Sequence, residues 1–361
     1  MKVIACVLIA TMQIAAGNAT IEERLKRVSA DVFTRTDRIA EDIAELKSIL
    51  AIDPKSAEAH MLLGIAYRTE GSPELMSEAA AELRQAVALD PSSVSARFYL
   101  AHLYLDLGRP ERARDELQAA QEKVSGQPQL LGLLGESERQ LGNAARSVEL
   151  TRQALQIAPT FAEARYYLAL ALLDLGKRDE AIPELERVVQ SGAQRAELFQ
   201  ALGTAYLDAG RLDPALENLQ RAVDLDASHP ELLVQLARAY RLKGQLARAQ
   251  QQLARARTLA PATAVSAADQ QTLRDLSLEE GIITLDQGQL DVAVRSLKKV
   301  VDLDPEYGPG HRYLAEAYIR QGLFARAQEE ATRAEALGTP LPEDQVKRLR
   351  EKRAPTPKER E

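Results

Sequence analysis

Small and large apolar residues recur along this chain on one long beat. Small residues stand at Gly64, Ala101, Gly135, Ala169, Gly203, Ala237, Gly281 and Ala315. Three positions later a large residue usually follows: Tyr67, Tyr104, Leu172, Tyr206, Tyr240 and Tyr318. A second small column runs through Ala79, Ala113, Ser147, Ala181, Ala215, Ala249, Ala293 and Ala327. Between the columns lie polar stretches with a glycine. Gly108, Gly142, Gly176, Gly210 and Gly244 are spaced 34 residues apart, and Gly288 and Gly322 resume that step after a slip of 10 residues. A proline tends to close each period, at Pro54, Pro91, Pro159, Pro261 and Pro305. A fixed period of this length predicts a stack of helix–turn–helix units.

Each column has a physical reason. A Gly or Ala in mid-helix lets two helix backbones approach closely, and the Tyr or Leu one turn later fills the space beside that contact. The periodic glycine falls where a helix ends in a left-handed residue. The proline cannot continue the preceding helix and starts the next unit.

These columns resemble those of the tetratricopeptide repeat (TPR) family. The matching residues are the Leu-Gly/Ala-x-x-Tyr core (Leu63-Gly64 to Tyr67, Leu202-Gly203 to Tyr206), the second small column and the closing proline. The resemblance implies an all-α fold: a right-handed superhelical solenoid of antiparallel helix pairs, about eight repeats long. The family's usual tryptophan is absent. His60, Arg97, Arg165, Phe199 and His311 occupy its column. The third repeat departs further, with Glu138 where Tyr is expected and Thr151 where a large apolar residue is expected.

The ends read differently from the array at 55–339. Residues 1–19 carry Lys2, an apolar run from Val3 to Ala16 and the small residues Gly17-Asn18-Ala19, the pattern of a cleaved secretory signal peptide; an uncleaved anchor is the alternative. The run is shorter than the ~20 residues of a membrane span. Residues 20–54 read as a degenerate N-terminal capping repeat with helices near 21–34 and 37–51, Ala30 and Phe33 in the columns and Asp37 in place of the turn glycine. Three extra residues near 70–76 are expected in a turn. The ten-residue insertion falls near 262–273, where Ser266 and Asp269 form a capping-box pattern. It predicts either a first helix starting near Ala267, about three turns longer than its siblings, or a loop of small residues. Residues 340–353 are expected to form a basic capping helix with Val346 and Leu349 facing the last repeat, and 354–361 a disordered tail.

Charge and chemistry narrow the function. Cys6, the only cysteine, leaves with the signal peptide, so the mature chain has no disulfide. Lys2 leaves too, and the 46 basic residues become 45 against 53 acidic ones, a net charge of −8. An acidic chain without a basic stripe is a poor nucleic-acid binder. His60, His102, His229 and His311 lie in different repeats, without the spacing of a metal site. No nucleophile motif or phosphate-cradling loop accompanies them. The sequence therefore points to no enzyme, no cofactor and no metal.

In the TPR family the first helix of each pair lines the concave surface. Positions three before, one after and four after the first small column share that face. They are Phe98, His102 and Leu105 in the second repeat, and Gly132, Glu136 and Arg139 in the third. The fourth has Tyr166, Leu170 and Leu173, the fifth Gln200, Thr204 and Leu207, the sixth Val234, Arg238 and Arg241. Phe98 and Tyr166 flank Gly132, either as two walls of a gap for an apolar side chain or as packing against neighbouring helices. Arg238 and Arg241 would hold an acidic group of the same ligand. The Lys/Asn clamp of TPRs that grip C-terminal carboxylates is absent from these columns. The expectation is an exported bacterial scaffold or adaptor, periplasmic or extracellular, that binds a protein or peptide and keeps no membrane span after cleavage. A carrier of a small or lipidic ligand and a noncatalytic subunit of an envelope enzyme complex are the alternatives.

Overall fold

The computed structural model describes residues 20–32, 36–264 and 266–353. The expected signal peptide with Cys6, the column residue Phe33 and the tail at 354–361 lie outside the described residues. Every regular element among the described residues is helical. An N-terminal pair, α1 (Ile21–Val32) and α2 (Ile39–Ile52), precedes eight pairs. These are α3 (Ala57–Glu70) with α4 (Pro73–Leu89), α5 (Val94–Asp106) with α6 (Pro110–Gln121), α7 (Pro128–Gln140) with α8 (Ala144–Ile157), and α9 (Ala162–Asp174) with α10 (Arg178–Gln190). Then come α11 (Ala196–Asp208) with α12 (Leu212–Leu225), α13 (Pro230–Leu242) with α14 (Leu246–Leu259), α15 (Ala267–Asp286) with α16 (Leu290–Leu303), and α17 (Gly308–Gln321) with α18 (Phe324–Ala336). A last helix, α19 (Glu343–Arg353), follows. The chain divides into two compact bodies at Val188/Val189, and each is a solenoid of antiparallel helix pairs.

The columns pack as their sizes require. A Cβ built on Gly64 would lie 2.6 Å from Leu83, on Gly203 2.7 Å from Leu219, and on Gly281 2.6 Å from Leu297. Each glycine thus marks the point where the two helices of a pair touch. In the third repeat Gly135 faces Thr151 at 2.7 Å, and Thr151 is fully buried with its hydroxyl donating to the Ser147 carbonyl at 2.7 Å. Its small residues thus keep the same close contact. The periodic glycines Gly108, Gly142, Gly176, Gly210, Gly244, Gly288 and Gly322 have φ between 64° and 83°, a region side chains with a Cβ rarely adopt.

The missing tryptophan is replaced by a polar clamp. Arg97 donates to Glu116 of α6 at 2.5 Å and to the Pro91 carbonyl at 3.1 Å. Arg165 repeats this with Glu184 (2.5 Å) and the Pro159 carbonyl (2.5 Å). His60 bridges Glu82 and Pro54, and His311 bridges Glu330 and Pro305. One side chain thereby ties the turn that opens a repeat to the second helix of that repeat. Where the column is apolar the clamp vanishes. Leu131 and Leu150 are both buried, as is Phe199, which carries Arg221 over its ring at 4.4 Å.

Both period slips lengthen a helix. The extra residues near 70–76 extend α4 to 17 residues against 12 to 14 in its siblings, instead of widening the turn. Pro73 at the first helical position and Ser72 in extended conformation before it start the helix early. The ten-residue insertion gives α15 20 residues against 13 or 14 in the other first helices. Ser266 and Asp269 close a full capping box. The gain is about two turns, not three, because residues 260–264 and Ser266 stay outside the helix. At the C-terminus Leu349 is buried and Val346 packs on the same apolar cluster, so α19 covers the end of that core.

Candidate functional site

In the N-terminal body the face made by the first helices is chemically closed. Arg68 donates to Asp106 of the next repeat at 2.5 Å and to His102 Nδ1 at 2.7 Å. Burial opposes ionisation of Asp106, but the neighbouring His102 and the hydrogen bond from Arg68 outweigh it and hold the carboxyl below its ordinary value. Arg139 donates to both oxygens of Glu136 at 2.8 Å and to Asp174 of the next repeat at 3.0 Å. These carboxylates hold its guanidinium above the ordinary arginine value, the Glu136 hydrogen bonds most.

The apolar residues of this face are largely spent on packing. Phe98 stands edge-on to Tyr99 at 5.4 Å and to His102 at 6.3 Å. Tyr166 lies 6.0 Å from Tyr167. Leu105 is buried, and Leu170 and Leu173 are half-buried. The gap expected at Gly132 is closed. Gly132 is buried, and a Cβ there would lie 3.4 Å from Phe161 and 3.5 Å from Ala164, so the start of α9 occupies that space.

The C-terminal body differs. Helices α13, α15 and α17, the first helices of three successive repeats, enclose a cavity of about 450 Å³. That is within the range of ligand pockets, roughly 300–1,000 Å³. Val234, Leu278 and Ile282 form its apolar part. Arg238, Arg241, Arg274 and Arg312, the acids Asp275 and Glu279, and Tyr307 and Tyr313 also line it.

Two of the four arginines are already neutralised. Arg241, expected to hold an acidic ligand group, holds Glu279 instead, at 2.6 Å. Burial works against its charge and the Glu279 carboxylate more than offsets it, so its value is raised. Arg274 pairs with Asp275 (3.0 Å) and Asp304 (2.9 Å) and lies 4.1 Å over the Tyr307 ring. Arg238 is 47% exposed and reaches Asp208 only at 3.9 Å. Arg312 stacks on Tyr313 at 4.4 Å and forms no ion pair among the described residues. Burial pushes the Tyr307 hydroxyl above its ordinary value, so it stays a donor.

Of the expected groove residues, Val234, Arg238 and Arg241, all from the sixth repeat, line this cavity. Arg312 sits three positions before Ala315, so the column rule that found Arg238 finds it too once carried to the eighth repeat. Gln271 lies on the added turns of α15 and Tyr307 in the turn before α17, outside any column. A second cavity of about 350 Å³ lies among α14, α15 and α16, but its carboxylate, Glu280, is already met by Arg257. Among the described residues no cluster of His, Cys, Asp and Glu is arranged to hold a metal, and no helix is long and apolar enough to cross a membrane.

Two family models described as tetratricopeptide repeat match the chain, one over residues 112–260 and the other over 76–136 and 284–350. No curated protein matches it. Solved structures share the fold at low identity. The Cut9-Hcn1 hetero-tetramer of the APC/C aligns over 92% of this chain and 67% of its own, with a TM-score of 0.67 and 15% identity. The human IFIT1 dimer with PPP-AAAA aligns over 89% and 73%, with a TM-score of 0.60 and 19% identity. A tetratricopeptide repeat protein from Parabacteroides merdae aligns over 71% and 98%, with a TM-score of 0.53 and 16% identity.

Proposed function

The chain belongs to the tetratricopeptide repeat family, and from that premise we propose that it is a noncatalytic scaffold of the cell envelope that receives a peptide or helical segment of a partner protein on its first-helix face. Repeats of this family are protein-interaction scaffolds in general. The observation that carries the finer reading is the cavity enclosed by α13, α15 and α17, where three successive first helices bring apolar and polar groups together. A pocket with an apolar part and a few directed polar groups is how a solenoid fixes a peptide's register. Export rests on the pattern of residues 1–19.

The test is crosslinking of the tagged full-length chain in intact bacterial cells, followed by fractionation and mass spectrometry. The expected result is one envelope protein crosslinked to the parent and lost from an Arg238→Ala/Arg312→Ala variant. Recovery of the chain in the cytosol would overturn the envelope reading. A co-purifying lipid without a protein partner would favour the ligand-carrier alternative instead.

A further inference from the structure

The slip in the repeat period adds one residue, Gln271, to the lining of the C-terminal body's cavity. First helices elsewhere begin seven residues before their small-column residue, as Pro230 does before Ala237 and Gly308 before Ala315. Helix α15 begins fourteen before Gly281, so residues 267–273 have no counterpart in the other repeats. Its added turns are fastened at both sides. Thr272 donates to Glu231 of α13 at 2.5 Å, the Gln270 amide donates to the Leu303 carbonyl, and Leu273 is buried. They form a fixed wall that sets Gln271 beside the cavity.

We infer that this cavity selects a carboxylate side chain of the docked peptide, clasped by Arg238 and Arg312 against that wall. The inference rests on the scaffold reading above and names the chemistry the site reads. Arg241 and Arg274 are committed to internal carboxylates, whereas Arg312 lies over the Tyr313 ring with no ion pair among the described residues and Arg238 keeps only a distant acid. An arginine stacked on an aromatic ring retains the in-plane N–H fork that matches a carboxylate. Gln271 and the Tyr307 hydroxyl are neutral donors lining the same cavity. Asp275 and Glu279 line it as well, paired with Arg274 and Arg241. Val234 with Leu278 and Ile282 offers an apolar seat for the side chain next to the carboxylate.

The experiment is fluorescence anisotropy of the full chain with labelled peptides that carry Glu, Gln or Lys at one position beside a fixed pair of leucines. Sodium pyrophosphate is titrated in parallel. The Glu peptide is expected to bind about tenfold tighter than the Gln peptide. In Arg238→Ala/Arg312→Ala the two peptides should bind alike, with the thermal midpoint unchanged. Arg238→Lys/Arg312→Lys, which keeps charge without the fork, should restore only part of the preference. Equal binding of the Glu and Gln peptides to the parent would overturn the acid chemistry and leave the scaffold reading standing. A Glu preference that survives the double alanine variant would place the acid reader elsewhere and overturn the inference. Tight pyrophosphate binding with no peptide bound would overturn both.

Discussion

The first-helix faces of the two bodies use the same column positions and reach opposite ends. In the N-terminal body Arg68 and Arg139 close ion pairs onto the next repeat, Phe98 and Tyr166 pack on adjacent rings, and Gly132 is covered by Phe161. In the C-terminal body two added turns of α15 accompany a cavity, and Arg312 faces it without an acid. A basic residue in a groove column is therefore no site by itself. It becomes one when the repeat leaves its charge unmatched next to space.

The comparison is most exposed at Glu279. Glu279→Ala leaves Arg241, 13% exposed at its side chain, without its partner. Breaking so buried a pair is expected to cost about 3 kcal/mol, read as a lower urea midpoint of the full chain. A shift as small as that of a surface substitution would show that Arg241 is free to turn to a ligand. Next in size, Gly132→Leu should cost roughly 1–3 kcal/mol, since its Cβ alone already reaches Phe161 and Ala164. An unchanged midpoint would reopen the gap between Phe98 and Tyr166.

A smaller effect follows from pH. Because the Asp106 carboxyl is held below its ordinary 3.8, the stabilisation by Arg68 and His102 is complete above that value and is lost as pH falls through the lower folded one. Stability of the parent should drop as pH falls below 3.8, and Asp106→Asn should lose less over that interval in the same denaturation series. Smallest of all, Arg238→Ala and Arg312→Ala should each change stability by less than about 0.5 kcal/mol, because neither anchors a buried acid. A larger loss in a thermal melt would make them structural residues.

Much of the fold was legible because size columns are a direct record of helix contacts. Gly64, Gly203 and Gly281 each mark a point where a leucine of the paired helix sits under 3 Å from a built Cβ, and Ser266 with Asp269 announced the start of α15. The share of the insertion taken up by helix was not legible, since "ATAVSAADQ" suits a loop or a helix equally. The candidate site was legible at Val234, Arg238 and Arg241. Columns tell which face a side chain shares, but not whether a carboxylate from the next repeat reaches it. Glu279 stands 38 residues after Arg241, and no periodic rule pairs those two positions. Phe98 and Tyr166 were attractive for their chemistry, yet their neighbours are Tyr99 and Tyr167, one residue along the same helices.

The central claim is that the first-helix face of the C-terminal body, not of the N-terminal one, receives the partner. Its most direct test places a photo-crosslinking phenylalanine analogue in place of Gln271 or, separately, in place of Tyr166, in the full chain expressed in its native cells. The account predicts a covalent partner adduct from position 271 and none from position 166. An adduct from position 166 alone would contradict it.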